Sequence, residues 1–154
     1  MAHFAQLDDN NIVINVIVID DKELIKKASW DPLGLLTGKK ESEAVGISYC
    51  KKLFKDPNSI WKQTSYNHNF RGNYACRGDI YLTGVRTLGV ASTDIFIEQS
   101  PYPSWSVGIN TAQWEAPIPK PPLTEFEKNS RMMYRWNEDN YKNNPSSAWV
   151  LGSQ

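Results

Sequence analysis

Ile12-Val13-Ile14-Asn15-Val16-Ile17-Val18-Ile19 is apolar at every position except Asn15. Such a run predicts a strand. A strand without a wet face is usually covered on both sides, by its own core or by a partner. Asp8-Asp9-Asn10-Asn11 stands immediately before it. Asp and Asn bond their own backbone and tolerate positive φ, so this tetrapeptide supplies turn chemistry. Phe4-Ala5-Gln6-Leu7 alternates on the other side of the turn. Residues 4 to 19 are therefore expected as a β-hairpin, and the rest of the fold has to be built around it.

The next strong signal is helical. Gly46, Ile47, Cys50, Leu53 and Phe54 recur as one apolar stripe at helical period, which predicts a helix over residues 43–54. Ser42 is a suitable N-cap, Glu43 suits the helix start, Lys51, Lys52 and Lys55 suit its end, and Pro57 prevents continuation. Between hairpin and helix, residues 20 to 41 carry Pro32, Gly34 and Gly38 and read as an excursion from the core. After the helix, residues 60–66 alternate as a strand. Residues 79–88 and 93–98 hold short strands interrupted by Gly84 and Gly89.

Two aromatic hairpins are expected in the C-terminal half. One joins Trp105-Ser106-Val107 to Ala112-Gln113-Trp114, placing Trp105 and Trp114 as neighbours on one face. The other joins Tyr134-Arg135-Trp136 to Ala148-Trp149-Val150 through a polar turn that includes Asn137-Glu138-Asp139-Asn140. Between them Pro117-Ile118-Pro119-Lys120-Pro121-Pro122 predicts a stiff, extended strap. The expected class is thus α+β: antiparallel hairpins, one main helix and an extended Pro-rich C-terminal region. The expected division is a β-rich domain with one helix at 1–118, followed by strap and aromatic hairpin at 119–154.

Charge and composition narrow the function. The chain has 154 residues, with 17 Lys plus Arg balanced by 17 Asp plus Glu. Phosphate binding draws on excess basic charge, so nucleic acid is not expected as a partner. The longest apolar stretch falls far short of the ~20 residues that span a bilayer, and Met1–Gln6 lacks an export pattern. Synthesis in a cytoplasm is expected. Neither a membrane nor a cofactor is expected as a partner. Asn144-Pro145-Ser146 is blocked as a glycosylation site by its proline.

Catalytic and metal readings find little to rest on. His3, His68, Cys50 and Cys76 have no metal-ligand spacing. Cys50 lies on the predicted apolar stripe, and a Cys76–His68 dyad would need folding to assemble it. The acidic pairs Asp8-Asp9, Asp20-Asp21 and Glu138-Asp139 sit in turn-like sequence, where acids serve the backbone. Arg77-Gly78-Asp79 is short enough to arise by chance. No catalytic residue and no metal ligand is assigned. One disulfide between Cys50 and Cys76 stays open.

The stretch Pro101 to Pro122 carries the functional reading. Its aromatics could be core, a carbohydrate platform or a protein interface. The proline strap favours an interface, because an extended segment docks at little entropic cost and Tyr and Trp are common anchors. The candidate interface residues are Tyr102, Trp105, Trp114, Pro117, Pro119, Trp136 and Trp149.

Several blocks together carry a resemblance. They are His3-Phe4-Ala5-Gln6-Leu7-Asp8 with Asn10-Asn11, Glu41-Ser42-Glu43-Ala44-Val45-Gly46-Ile47, Trp61-Lys62-Gln63-Thr64-Ser65-Tyr66-Asn67, Phe70-Arg71-Gly72-Asn73-Tyr74-Ala75, and Pro101-Tyr102-Pro103-Ser104-Trp105 through Trp114-Glu115-Ala116-Pro117. In order and combination they resemble small virion structural or hypothetical proteins of tailed bacteriophages, especially phages of marine bacteria. The resemblance implies a virion context and carries no catalytic site. The expectation is a non-enzymatic accessory or decoration protein attached to capsid or tail, contacting other virion proteins or its own copies. The alternative is a carbohydrate-binding module that serves host attachment.

Overall fold

In the computed structural model, which describes residues 1–20, 42–85 and 93–153, the turn at Asp8–Asn11 forms around one carboxylate. Asp8 Oδ1 accepts the N–H groups of Asn10 and Ile12 at 2.9 and 2.8 Å, and Asn11 takes a φ of +62°. The turn joins strand β1 (Ala2–Leu7) to strand β2 (Val13–Ile19) in antiparallel register. Strand β3 (Ile60–Thr64) pairs antiparallel with the other side of β1, giving the order β2-β1-β3.

The central strand is the one most fully covered on both faces. Ala2 and Phe4 pack with Ile19, Cys50 and Trp61 on one face. Ala5 and Leu7 pack with Val13, Ala75, Tyr81 and Phe96 on the other. β2 is an edge strand, and its Ile14 and Val18 are 41% and 53% exposed. The chain's own core thus covers residues 12 to 19 only in part: Val13, Val16, Ile17 and Ile19 are packed, and Ile14 and Val18 are left exposed. A bulge decides which core Val13 joins. Gln6 faces Asn15 but Leu7 faces Val13, so Ile14 is the extra residue and the side-chain alternation reverses across it. Ile17 and Ile19 therefore serve one core, Val13 and Val16 the other.

Helix α1 spans Glu43–Leu53, and Ser42 Oγ accepts the Val45 N–H at 3.5 Å as its N-cap. Gly46 lies against the Phe4 ring, where a Cβ would fall 2.7 and 2.8 Å from two ring carbons. The missing side chain is what lets the helix approach the sheet. Gly46 and Cys50 are buried, but Leu53 and Phe54 are 56% and 41% exposed. The predicted stripe is thus buried only where it meets Phe4 and Trp61. At the C-cap, the Phe54 ring leans on Trp61 at 5.1 Å.

Strands β4 (Ile80–Leu82) and β5 (Ile95–Ile97) form an antiparallel pair. It is tied to the start of β2 by Val13 N–H to Asp79 C=O and Tyr81 N–H to Asn11 C=O, each 2.8 Å. The expected excursion lies, from residue 21 on, outside the described residues, as do residues 86–92 of the short-strand region.

The chain divides into two compact units: Met1–Gln99 with Ile109–Ala112, and Ser100–Gly108 with Gln113–Gln154. The second holds the pair β6 (Ser106–Val107) and β7 (Trp114–Glu115), helix α2 (Glu125–Asn129), strand β8 (Met132–Trp136), helix α3 (Glu138–Asn143), a 3-10 turn at Pro145–Ser147 and strand β9 (Trp149–Ser153). β8 and β9 pair antiparallel, with Trp136 directly opposite Trp149. The connection between them is not the expected turn. Asn137 caps α3 by accepting the Asn140 N–H at 2.8 Å, so the polar residues wind into a helix. The division is therefore placed differently from the expected one at 118/119: the Trp105 ring packs with Trp136 and Trp149 of the C-terminal hairpin, and Tyr102 packs on Trp105. The described chain is thus mixed α and β, with several small antiparallel sheets.

Candidate functional site

Five aromatic rings interlock in the second unit. Trp136 meets Trp149 edge-on at 5.2 Å, Tyr141 at 5.1 Å and Trp105 edge-on at 6.0 Å. Trp105 also meets Trp149 at 6.2 Å and Tyr102 at 5.4 Å. Edge-on and tilted contacts of this kind each add about 0.5–1.5 kcal/mol beyond area burial. The polar ends of two rings are fixed. Trp136 Nε1 donates to Glu138 Oε2 at 2.9 Å, and Trp149 Nε1 donates to the Ile118 carbonyl at 2.9 Å. Glu138 Oε2 also accepts the Ser104 hydroxyl at 2.7 Å. The Trp136 and Ser104 bonds hold its carboxyl below the usual range. Among the described residues, Trp105 Nε1 is buried with no hydrogen-bond partner.

Beside these rings lies an open groove of about 450 Å³, lined by Trp105, Trp114, Glu115, Ala116, Ile118, Pro119, Lys120 and Trp149. The Lys120 ammonium sits 5.9 Å from the centre of the Trp149 ring, within cation–π reach. Of the seven candidate interface residues, Trp105, Trp114, Pro119 and Trp149 line this groove. Tyr102 and Trp136 stand behind it as ring neighbours of Trp105, and Trp136 is buried rather than presented. Pro117 is exposed and is not among the lining residues. Trp114 faces Val107, two residues along from Trp105, so Trp105 and Trp114 lie on one face of the hairpin without standing directly opposite, and both line the groove. Sequence reading missed Ile118 and Lys120 as lining residues and Glu138 as the acceptor of the Trp136 N–H. The alternation of the strap with its prolines and the Trp136-x-Glu138 spacing were the available signals.

Comparison with protein-family models, with curated proteins and with solved structures finds no match.

The first unit holds a different kind of site. A cleft of about 400 Å³ is lined by Met1, Ala2, His3, residues 63–67, Asn69 and Phe70. His3 stacks on Tyr66 at 5.6 Å, and Tyr74 meets both rings edge-on at 5.3 and 5.5 Å. His3 Nδ1 and the Tyr74 hydroxyl share a hydrogen bond of 3.0 Å. The neighbouring strand edge is clamped by an ion pair. Glu43 Oε1 accepts the Gln63 N–H at 2.9 Å, while Arg71 donates to the Gln63 carbonyl at 2.8 Å and to both Glu43 oxygens. Burial opposes the charge on Glu43. The hydrogen bonds from Arg71 and Gln63 and the attraction of Arg71 and Lys62 outweigh it, so its carboxyl lies below the usual range.

Among the described residues no group of three or more His, Cys, Asp or Glu is placed to hold a metal ion, and no helix is long and apolar enough to cross a membrane. Cys50 and Cys76 are free thiols, one buried and one exposed. Burial pushes the Cys50 thiol up to about 11, which disfavours the reactive thiolate. His68 sits in a tight turn at a φ of +57°, its N–H on the Ser65 carbonyl.

Proposed function

We propose that this chain is a non-enzymatic structural component of a bacteriophage virion, an accessory or decoration protein held on capsid or tail by the aromatic groove of its second unit. The virion context comes from the sequence blocks set out above, and the protein is made in the cytoplasm of the bacterial host. The observation that carries the assembly role is the groove itself, where Trp105, Trp114 and Trp149 meet the proline strap. Rigid aromatic side chains around a concave apolar surface are the usual anchors of protein interfaces. Residues 117–122 act as an extended strap on that surface, and they cost little entropy to order on docking. A slight rotation of Trp105 on docking offers its unpartnered N–H to a carbonyl of the partner. The polar side chains lining the groove are Glu115 and Lys120 rather than amides, which favours a protein partner over a sugar at this site.

Purified particles analysed by mass spectrometry should contain the protein in stoichiometric amount. Trp114→Ala and Pro119→Ala, with wild-type circular dichroism, should weaken association with particles more than about tenfold, the loss expected for an interface anchor. Full retention of both variants on particles, or absence of the wild-type protein from them, would overturn the assignment.

A further inference from the structure

The cleft of the first unit has features that the groove lacks. Its walls carry the planar amides of Gln63, Asn67 and Asn69, and none of the three side chains has a hydrogen-bond partner among the described residues. Each amide offers two donors and an acceptor in one plane, a set that suits adjacent hydroxyl groups. Beside them Tyr66 is 66% exposed, yet its ring is held from behind by His3 and from the side by Tyr74. An exposed ring fixed in this way loses little freedom when a flat apolar face settles on it.

The frame around these groups is also fixed. The Gln63 backbone is clamped by Glu43 and Arg71, and the turn that follows is closed by Asn69 N–H on Ser65 Oγ at 2.9 Å and His68 N–H on Ser65 C=O at 3.2 Å. None of the lining side chains is Asp, Glu, Lys or Arg. A phosphate or a carboxylate would find no lysine or arginine there, and a cation no carboxylate. A neutral ligand with several hydroxyls and an apolar ring face fits this lining. The volume of about 400 Å³ falls in the range of about 300–1,000 Å³ typical of small-molecule sites.

We propose that this cleft binds a neutral saccharide, with Tyr66 as the stacking platform and the amides of Gln63, Asn67 and Asn69 bonding the ring hydroxyls. The site is separate from the groove and does not depend on the assembly role. On a virion it would give the particle contact with a surface glycan of its host.

The test uses the full chain on an array of neutral, sialylated and sulfated glycans. Amide chemical shifts are followed in parallel during titration with chitotriose, maltotriose and lactose. The expected result is saturable binding of a neutral glycan, with shifts confined to His3 and residues 63–70. Tyr66→Ala should weaken it at least about tenfold, equivalent to about 1.4 kcal/mol, whereas Tyr66→Phe should stay within about twofold, because stacking needs the ring and not the hydroxyl. Asn67→Ala, on an exposed turn, gives a second loss variant that leaves the sheet untouched. Failure of every neutral glycan to bind, binding restricted to acidic glycans, or binding undisturbed by both Tyr66→Ala and Asn67→Ala would overturn the proposal.

Discussion

The two units hold themselves together by different means. Of the sixteen buried apolar residues among those described, Trp136 and Ala148 alone belong to the second unit. The first is a sheet with side chains packed on both faces, where Phe4, Val13, Trp61, Ile95 and Phe96 leave almost nothing in water. The second relies on rings meeting edge to face, with Trp105, Trp149 and Tyr141 only half buried. Area removed from water stabilises by roughly 25 cal/mol per Å², so the first unit gains most from what it hides. The second keeps much of its aromatic area wet. Trp105, Trp114 and Trp149 are only partly buried and leave aromatic area for a partner to cover, which supports the assembly role proposed for the second unit.

The largest expected effect tests the closed core. Phe4 is fully buried, touches the site where Gly46 lacks a side chain, and lies on the central strand. Phe4→Ala should lower unfolding stability by about 4 kcal/mol, the usual scale for deleting a buried aromatic ring. Chemical denaturation measures it. A loss below about 1 kcal/mol would mean that the first unit is no better closed than the second, and the comparison would break.

A smaller effect tests the clamp. Glu43→Gln leaves Arg71, 14% exposed in its side chain, without its charge partner, and should cost about 2 kcal/mol. The pH dependence has a definite sign. Glu43 has a folded pKa below its ordinary value of 4.5, so the unfolded chain binds that proton more readily. Its contribution is fully present above about pH 4.5 and is lost as pH falls through the lower folded value. The wild type should therefore lose stability on acidification more steeply than Glu43→Gln. Parallel acid profiles for the two proteins would remove the clamp from the account of the first unit.

These features differ in how far they could be read from the chain. The hairpin at Asp8–Asn11 and the helix that starts at Ser42 follow from local chemistry: side chains that bond their own backbone, and a stripe at helical spacing. The bulge at Ile14 leaves no local mark, since the run of apolar residues reads the same in either register. Glu43 and Arg71 are 28 residues apart, and His3 and Tyr74 are 71 apart, so neither the clamp nor the cleft has a spacing that sequence could display. In the second unit the aromatic content pointed to Trp105, Trp114 and Trp149, which line one groove. The ring partners did not show in full, because Trp105 takes Trp136 and Trp149 from a hairpin distant in sequence.

Cys50 reports the closure of the first unit at still smaller cost. Its thiol is fully buried and pushed up to about 11, whereas Cys76 is exposed. A thiol reagent at neutral pH should label Cys76 rapidly and Cys50 only on unfolding. Cys50→Ala should destabilise by about 1 kcal/mol and leave a single fast-reacting thiol. Rapid labelling at two sites in the native protein would show that the helix opens from the sheet.

The smallest effect on the free chain should come from Phe126, and it sharpens the comparison from the other side. Phe126 is 79% exposed on helix α2. That helix is held by polar bonds in which the Phe126 side chain takes no part: Thr124 Oγ1 accepts the Glu127 N–H at 3.3 Å, and Glu127 Oε2 accepts the Thr124 N–H at 2.6 Å. Phe126→Ser therefore removes a ring that contributes little to the isolated fold, and stability should change by less than about 0.5 kcal/mol. Under the proposed assembly role the same ring is an apolar group that a partner can bury, and its loss should then weaken association with particles several-fold while circular dichroism stays unchanged. A clear loss of stability in the free chain would mean that the second unit buries more than its exposed rings indicate. Unchanged association would confine the docking surface to the groove of Trp105, Trp114 and Trp149. Because the free chain and the particle are measured on one variant, the two outcomes separate what holds the second unit together from what holds it to its partner.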